Sequence, residues 1–246
     1  MATQTLRERL SGGAPLVAVS FGDEDPAGDA ARARDLGVDL AELRIDWNRS
    51  AEPADVLAAI EPFRAAGLRI LATIRSRAEG GRWAHDEDAR LRLFEAILPA
   101  VDAVDVELSA AGILPGVIAA ARAADRPVVV SYHDFDKTPG EESLAGTVEA
   151  AKAAGADVVK ISTMAHGPED LRRLAGLLLR YESLIVIGMG TEGSATRVFF
   201  PVLGSRVTYS ADGDRPSAPG QLPFEETVRL LETFSPAYAA ARGAGA

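Results

Sequence analysis

The 246-residue chain contains no cysteine. That excludes disulfides and thiolate catalysis and removes the commonest zinc ligands. Histidine is nearly absent too. His85, His133 and His166 are the only three, and their spacing fits no metal-binding motif. Aromatic residues make up only 6% of the chain. No apolar run is long enough to span a bilayer, and the opening stretch Met1–Leu10 lacks the apolar segment of a signal peptide. The expected location is therefore the cytoplasm, with no membrane partner. Positive charge is the minority sign. The net charge of −10 makes nucleic acid an improbable partner.

Lysine is the scarcest charge. Among 26 basic residues only Lys137, Lys152 and Lys160 are lysines. Lys137 lies in a polar stretch and Lys152 in an Ala-rich, helix-like one. Lys160 instead closes the apolar run Ala156-Asp157-Val158-Val159-Lys160-Ile161. Arginine stays protonated, whereas a desolvated lysine can lose its proton and attack a carbonyl carbon to form a Schiff base. The alternative is a lysine that snorkels from a strand end to solvent.

Short β-branched runs alternate with longer helix-like segments. Strands are expected at Leu16–Phe21, Leu40–Asp46, Arg69–Arg75, Ala103–Leu108, Pro127–His133, Asp157–Thr163, Leu184–Met189 and Val207–Ala211. Helices are expected at Ala54–Ala66, Asp86–Leu98, Glu141–Ala154 and Pro168–Tyr181, among others. Pro53 and Pro168 suit first turns, and Gly67 and Gly155 suit C-terminal caps. Eight such units in one chain predict an α/β fold, a (β/α)8 TIM barrel of a single domain. An open doubly wound sheet has the same periodicity. No linker divides the chain over 1–246, and the Ala/Gly-rich tail from about 237 is expected to fray.

In such a barrel, chemistry collects at the C-terminal strand ends. Here those ends carry Glu42, Arg44 and Asp46; Arg75 followed by Glu79; Asp105 and Glu107; His133; and Lys160. Arg197 follows strand seven. Interior charges are costly unless paired. Asp46, Asp105 and Glu107 either pair structurally with Arg44 and Arg75 or serve the chemistry. An amine and an imidazole on neighbouring strand ends form an acid–base device for carbanion chemistry beside a ketone. Gly188-Met189-Gly190-Thr191-Glu192-Gly193 spells GxGxxG after a strand, with Asp212 downstream. Too little chain follows it for a dinucleotide fold, so the glycines fit a tight barrel loop better.

Read in order, these pieces resemble type I 3-dehydroquinate dehydratase, the Schiff-base enzyme family of the shikimate pathway. The resemblance runs from Leu16 to about Phe234 and takes in Glu42–Asp46, Thr73–Arg75 with Glu79-Gly80-Gly81, Asp105–Glu107, Ser131–Phe135, Asp157–Ile161, Gly188–Gly190, Arg197 and Ser217–Gln221. The resemblance implies that Lys160 forms an imine with a substrate ketone, that His133 moves the protons and that Glu79 orients His133. It implies substrate binding by Arg197 through a carboxylate, by Glu42, Arg44 and Arg75 through hydroxyls, and by Ser217 and Gln221 from a closing loop. Ser20 is a further candidate contact. The resemblance implies no cofactor and no metal, and suggests a homodimer. Arg44, Arg75 and Arg197 are expected to crowd the Lys160 amine. Thr196 stands where the family leads one to expect serine. A class I aldolase barrel acting on a sugar phosphate shares the lysine, and a barrel that binds a ligand without turnover is the third reading.

Overall fold

The computed structural model describes residues 5–243. Eight strands form one all-parallel sheet: β1 (Leu16–Phe21), β2 (Leu40–Arg44), β3 (Ile70–Thr73), β4 (Ala103–Glu107), β5 (Val128–Asp134), β6 (Val158–Met164), β7 (Leu184–Met189) and β8 (Val207–Ser210). Consecutive strands are neighbours, and β1 also pairs with β8 in register Leu16↔Val207 and Ala18↔Tyr209. The remaining seam, between β7 and β8, is bridged from the loop before β8. Arg206 N–H donates to the Leu184 carbonyl at 2.8 Å, and Val186 N–H donates to Ser205 Oγ at 3.0 Å. The sheet therefore curls round as a TIM barrel rather than opening into a doubly wound sheet.

Ten helices occur among the described residues: α1 (Leu6–Ser11), α2 (Pro26–Leu36), α3 (Pro53–Ala65), α4 (Glu87–Ile97), α5 (Leu114–Ala123), α6 (Glu141–Ala154), α7 (Pro168–Arg180), α8 (Thr196–Val202), α9 (Phe224–Phe234) and α10 (Pro236–Gly243). Pro26, Pro53 and Pro168 occupy first-turn positions, where the missing N–H has no intrahelical partner in any case. Gly155 ends α6 in the left-handed conformation at φ 108°.

Side-chain alternation along the strands builds two separate apolar layers. Val17, Val19, Ala41, Leu43, Ile70, Val104 and Val106 point outward and join the helices in the main core. Leu16, Ala18, Leu40, Leu71, Ala103, Val129, Val158, Ile185 and Val207 point inward and fill the lower barrel. Leu6 and Leu10 of α1 complete that inner cluster, so α1 plugs the floor. Its start is fixed by a capping box, in which Thr5 Oγ1 accepts from Glu8 N–H and Glu8 returns a bond to Thr5 N–H.

Two expectations need correction. Strand two stops at Arg44, and Ile45–Trp47 form a 3-10 turn, which brings Asp46 back under the Arg44 guanidinium. Residues 237–243, expected to fray, belong instead to α10, Pro236–Gly243. Tyr238 is buried and donates to Asp39 Oδ2 at 3.0 Å, and Arg242 donates to the carbonyls of Leu36 and Gly37. The last residues of the expected tail, 244–246, lie outside the described residues.

Candidate active site

Above the apolar floor, the inward positions become polar. The register sets Ser131 of β5 against both Glu107 of β4 and Lys160 of β6, and His133 one inward step higher than Ser131. Lys160, His133, Glu79, Glu42, Arg44, Arg75, Arg197, Ser217 and Gln221 all line one cavity of about 100 Å3 at the C-terminal strand ends. Ser20 does not. It lines a neighbouring cavity, and its hydroxyl donates to Glu42 Oε2 at 2.5 Å and accepts from Ser217 Oγ at 3.1 Å.

Lys160 is buried, with Nζ 3.1 Å from Asp105 Oδ2, 3.1 Å from the Tyr209 hydroxyl and 3.7 Å from Glu42 Oε1. The expected crowd of arginines is not what surrounds this amine. The guanidiniums of Arg44 and Arg75 turn instead to their own carboxylates. Arg44 makes a two-pronged pair with Asp46 at 2.9 and 2.8 Å and lies over the Trp47 ring. Arg75 donates to Ser131 Oγ at 2.6 Å and to Asp105 Oδ1 at 2.9 Å, and sits 3.2 Å from Glu107. Glu107 is held from the far side by Arg90, a buried arginine of α4. A chain of alternating charges thus runs from α4 through the barrel wall to Lys160. Burial pushes the Asp105 carboxyl up, but Arg75 and Lys160 outweigh it and hold its pKa well below the usual range.

His133 is gripped by Glu79. One oxygen, Oε2, lies 2.9 Å from the His133 backbone N and 2.9 Å from its Nδ1. The other, Oε1, accepts the Ser109 hydroxyl. Glu79 sits in a 3-10 turn, Arg77–Glu79, ended by Gly80 at φ 79°. A Cβ on Gly80 would lie 2.5 Å from the Phe135 ring, which itself stacks on His133. Burial raises the Glu79 pKa to about 7, against the lowering effects of Ser109 and Arg75. Burial, then Arg75 and Lys160, lower the His133 pKa well below its ordinary value. The imidazole is therefore neutral at neutral pH.

Arg197, in the first turn of α8, has only 1% of its surface exposed. No carboxylate pairs with it among the described residues. One NH2 donates to the Pro219 carbonyl at 3.2 Å, and its Nε has no partner. Burial lowers its pKa to about 10. Such a group is costly until an anion arrives. Thr196 keeps the hydroxyl function expected of serine. It accepts from Gly188 N–H at 3.1 Å and donates to the Gly193 carbonyl at 2.6 Å. The GxGxxG segment is a tight loop. A Cβ on Gly193 would lie 2.3 Å from the Gly188 carbonyl carbon, and the Gly190 and Gly193 amides are spent on Pro219 and Gly190.

Sequence reading did not single out Tyr209, Ser109 or Phe135. Tyr209 follows inward-facing Val207 by two residues, which is the one signal that could have found it. Among the described residues, no group of three or more His, Asp or Glu side chains could hold a metal ion. No helix among them is long and apolar enough to cross a membrane.

The family model for type I 3-dehydroquinase matches residues 16–236. The 3-dehydroquinate dehydratase of Methanosarcina acetivorans is 36% identical over 219 residues, covering 85% of this chain and 90% of that protein. The crystal structure of the Aquifex aeolicus 3-dehydroquinate dehydratase superposes with a TM-score of 0.82 at 32% identity, covering 89% of this chain and 99% of that one. The Clostridium difficile type I enzyme, solved with covalently modified comenic acid, superposes with a TM-score of 0.83 at 27% identity, covering 91% and 93%. Barrel, strand-end chemistry and sequence agree along nearly the whole length, and the chain belongs to the type I 3-dehydroquinase family of dehydratase enzymes.

Proposed function

We propose that this chain, as a single catalytic domain, dehydrates 3-dehydroquinate to 3-dehydroshikimate through an imine on Lys160, with His133 as the acid–base group. The observation that carries the reading is that a buried amine and a carboxylate-held imidazole, on adjacent strands, open onto one cavity. Nζ of Lys160 adds to the substrate ketone and water leaves, giving a protonated imine. That cation is the electron sink for the next step.

His133 then takes the proton alpha to the imine. Its Nδ1 is occupied by Glu79, so Nε2 is the nitrogen that exchanges protons. The carbanion electrons return to expel the hydroxyl, which leaves as water with the proton His133 holds. His133 finally assists hydrolysis of the product imine. Glu79 fixes the ring and balances the imidazolium while it exists.

Arg197 receives the substrate carboxylate, a role supported by its burial without a carboxylate partner. Glu42, Arg44 and Arg75 face the substrate hydroxyls. Ser217 and Gln221, bonded to each other on the loop after β8, cover the ligand and exclude water. Ser20 acts one step removed, through Glu42 and Ser217. Covalently modified comenic acid in the Clostridium difficile relative accords with a reactive nucleophile in such a barrel. The loop amides of Gly190 and Gly193 are already engaged, which disfavours a sugar-phosphate aldolase. A homodimer working in the cytoplasm completes the proposal; both rest on the family resemblance.

The test is sodium borohydride reduction in the presence of 3-dehydroquinate, followed by intact mass and tryptic mapping. A stable adduct on Lys160 supports the imine. An adduct elsewhere, or none alongside normal turnover, removes Lys160 from the mechanism.

A further inference from the structure

Tyr209 is 4% exposed and lies in β8, one strand away from β7 and two from Lys160. Its hydroxyl touches the nucleophile at 3.1 Å, and its ring centroid is 4.3 Å from the same Nζ. Lys160 is the only side chain with which this hydroxyl forms a hydrogen bond among the described residues. It also lines the reactive cavity. A buried phenol needs a hydrogen-bond partner, and a phenylalanine would have filled the same apolar space without that need.

We propose that Tyr209 is a further catalytic residue, which aims the Lys160 amine and relays a proton at Nζ during imine formation. The proposal rests on the Lys160 reading above. Asp105 and Tyr209 each accept a hydrogen bond from Nζ, and Glu42 Oε1 stands farther off at 3.7 Å, so the lone pair of the neutral amine is left for the incoming ketone. When neutral Nζ attacks, the new C–N bond forms and the carbonyl π pair moves onto oxygen. The nitrogen is then positive and the oxygen negative. Tyr209 gives its O–H proton to that oxygen and takes one from nitrogen, which leaves a neutral carbinolamine and the phenol restored. Nothing is oxidised or reduced, and no further reactant is needed.

The surroundings suit a group that stays protonated between turnovers. Burial, then the carboxylates of Glu42 and Asp105, raise the Tyr209 pKa well above its ordinary value, with Arg75 and Arg44 opposing. A phenol so placed donates and accepts without ionising.

Tyr209→Phe keeps the ring and removes only the oxygen. Wild type and variant are mixed with 3-dehydroquinate, quenched with borohydride at increasing times, and the adduct is quantified by mass. The expected result is adduct accumulation slowed by about tenfold or more in the variant, with KM little changed. Thermal unfolding of both proteins is measured alongside. A lower unfolding midpoint with an unchanged rate of adduct formation would mean the hydroxyl is only structural, and overturns the proposal. If wild type forms no adduct at all, the Lys160 reading fails and this proposal with it. Equal rates in both proteins overturn the role of Tyr209 alone.

Discussion

A single carboxylate oxygen of Glu79 holds His133 at two points, 2.9 Å from its backbone nitrogen and 2.9 Å from Nδ1. The ring is thereby fixed both in position and in tautomer, leaving Nε2 for proton transfer. The two groups are displaced in opposite directions by burial: the acid upward, the base downward. Each therefore sits nearer its neutral form than it would in water.

This sets the pH dependence. On the proposed mechanism, activity requires Glu79 ionised and His133 neutral. His133 is already neutral well below its ordinary pKa, so the acid limb of kcat/KM belongs to Glu79 and has its midpoint near 7. Glu79→Gln is expected to lower kcat by about 100-fold, within the range for general acid–base groups, and to remove that limb. A pH profile of both proteins checks this. A limb that persists in the variant assigns it to another group.

For stability the acids act with opposite sign. Asp105 has a depressed pKa, so its contribution is present above the unfolded carboxyl value and is lost as pH falls through its folded value. Glu79 has a raised pKa, so the folded form gives up stability as pH rises from the unfolded value toward about 7. Asp105→Asn should therefore weaken the acid-side loss of stability, whereas Glu79→Gln should flatten the decline toward neutrality. Urea unfolding at a series of pH values measures both slopes.

Arg197 offers a trade between stability and function. Its guanidinium is buried with no carboxylate paired to it among the described residues. Arg197→Leu is expected to weaken substrate and transition-state binding by about 2–5 kcal/mol, roughly 30-fold to several thousand-fold in kcat/KM. The same change removes an unpaired buried charge, so the unfolding midpoint should hold or rise. A variant that is both inactive and much less stable would show the arginine to be structural.

Arg90 never reaches the cavity, yet it holds Glu107 from outside the barrel. Arg90→Leu leaves Glu107 Oε2 without its cation, Arg75 and the Ser76 amide both lying on Oε1, and breaking such a buried pair costs about 3–5 kcal/mol. Denaturant titration should show this loss. If stability barely changes, Arg75 and the Ser76 amide suffice for Glu107.

Removing residues 236–246 tests α10. The loss includes the buried Tyr238 ring, and deleting a buried aromatic side chain costs about 3–5 kcal/mol. The helix docks near the start of β2, at the barrel end opposite the site, so kcat at low temperature should be retained. Unchanged thermal unfolding would show the segment to be dispensable.

The barrel was legible because eight β-branched runs recur at regular spacing, and Lys160 because its run is otherwise apolar. The polar strand ends were legible from their spacing of two. Their division of labour was not. Arg75 and Arg197 look alike in sequence, and only packing shows that one is saturated by Asp105 and Ser131 while the other has no carboxylate. Ser20 has the right spacing but opens onto a neighbouring cavity and bonds Glu42 and Ser217, a matter of packing that periodicity does not encode. Tyr209 sits in an ordinary strand tetrapeptide, Val207–Ser210. The floor helix α1 spans only six residues, too short for a periodic signal. In the tail, Ala and Gly composition hid one anchoring tyrosine.

The Pro219 carbonyl joins two events that sequence places far apart. It accepts from Arg197 and from Gly190 N–H, while a Cβ at neighbouring Gly220 would come within 2.3 Å of the Gly190 carbonyl oxygen. The strap bearing Ser217 and Gln221 is thus seated directly on the Arg197 guanidinium. Any ligand that reorients Arg197 also changes the hold on the strap, and by reciprocity strap position changes ligand affinity by the same factor. On the proposed reading of Arg197 as the carboxylate receptor, capture of the carboxylate and seating of the strap are thermodynamically coupled through a single arginine.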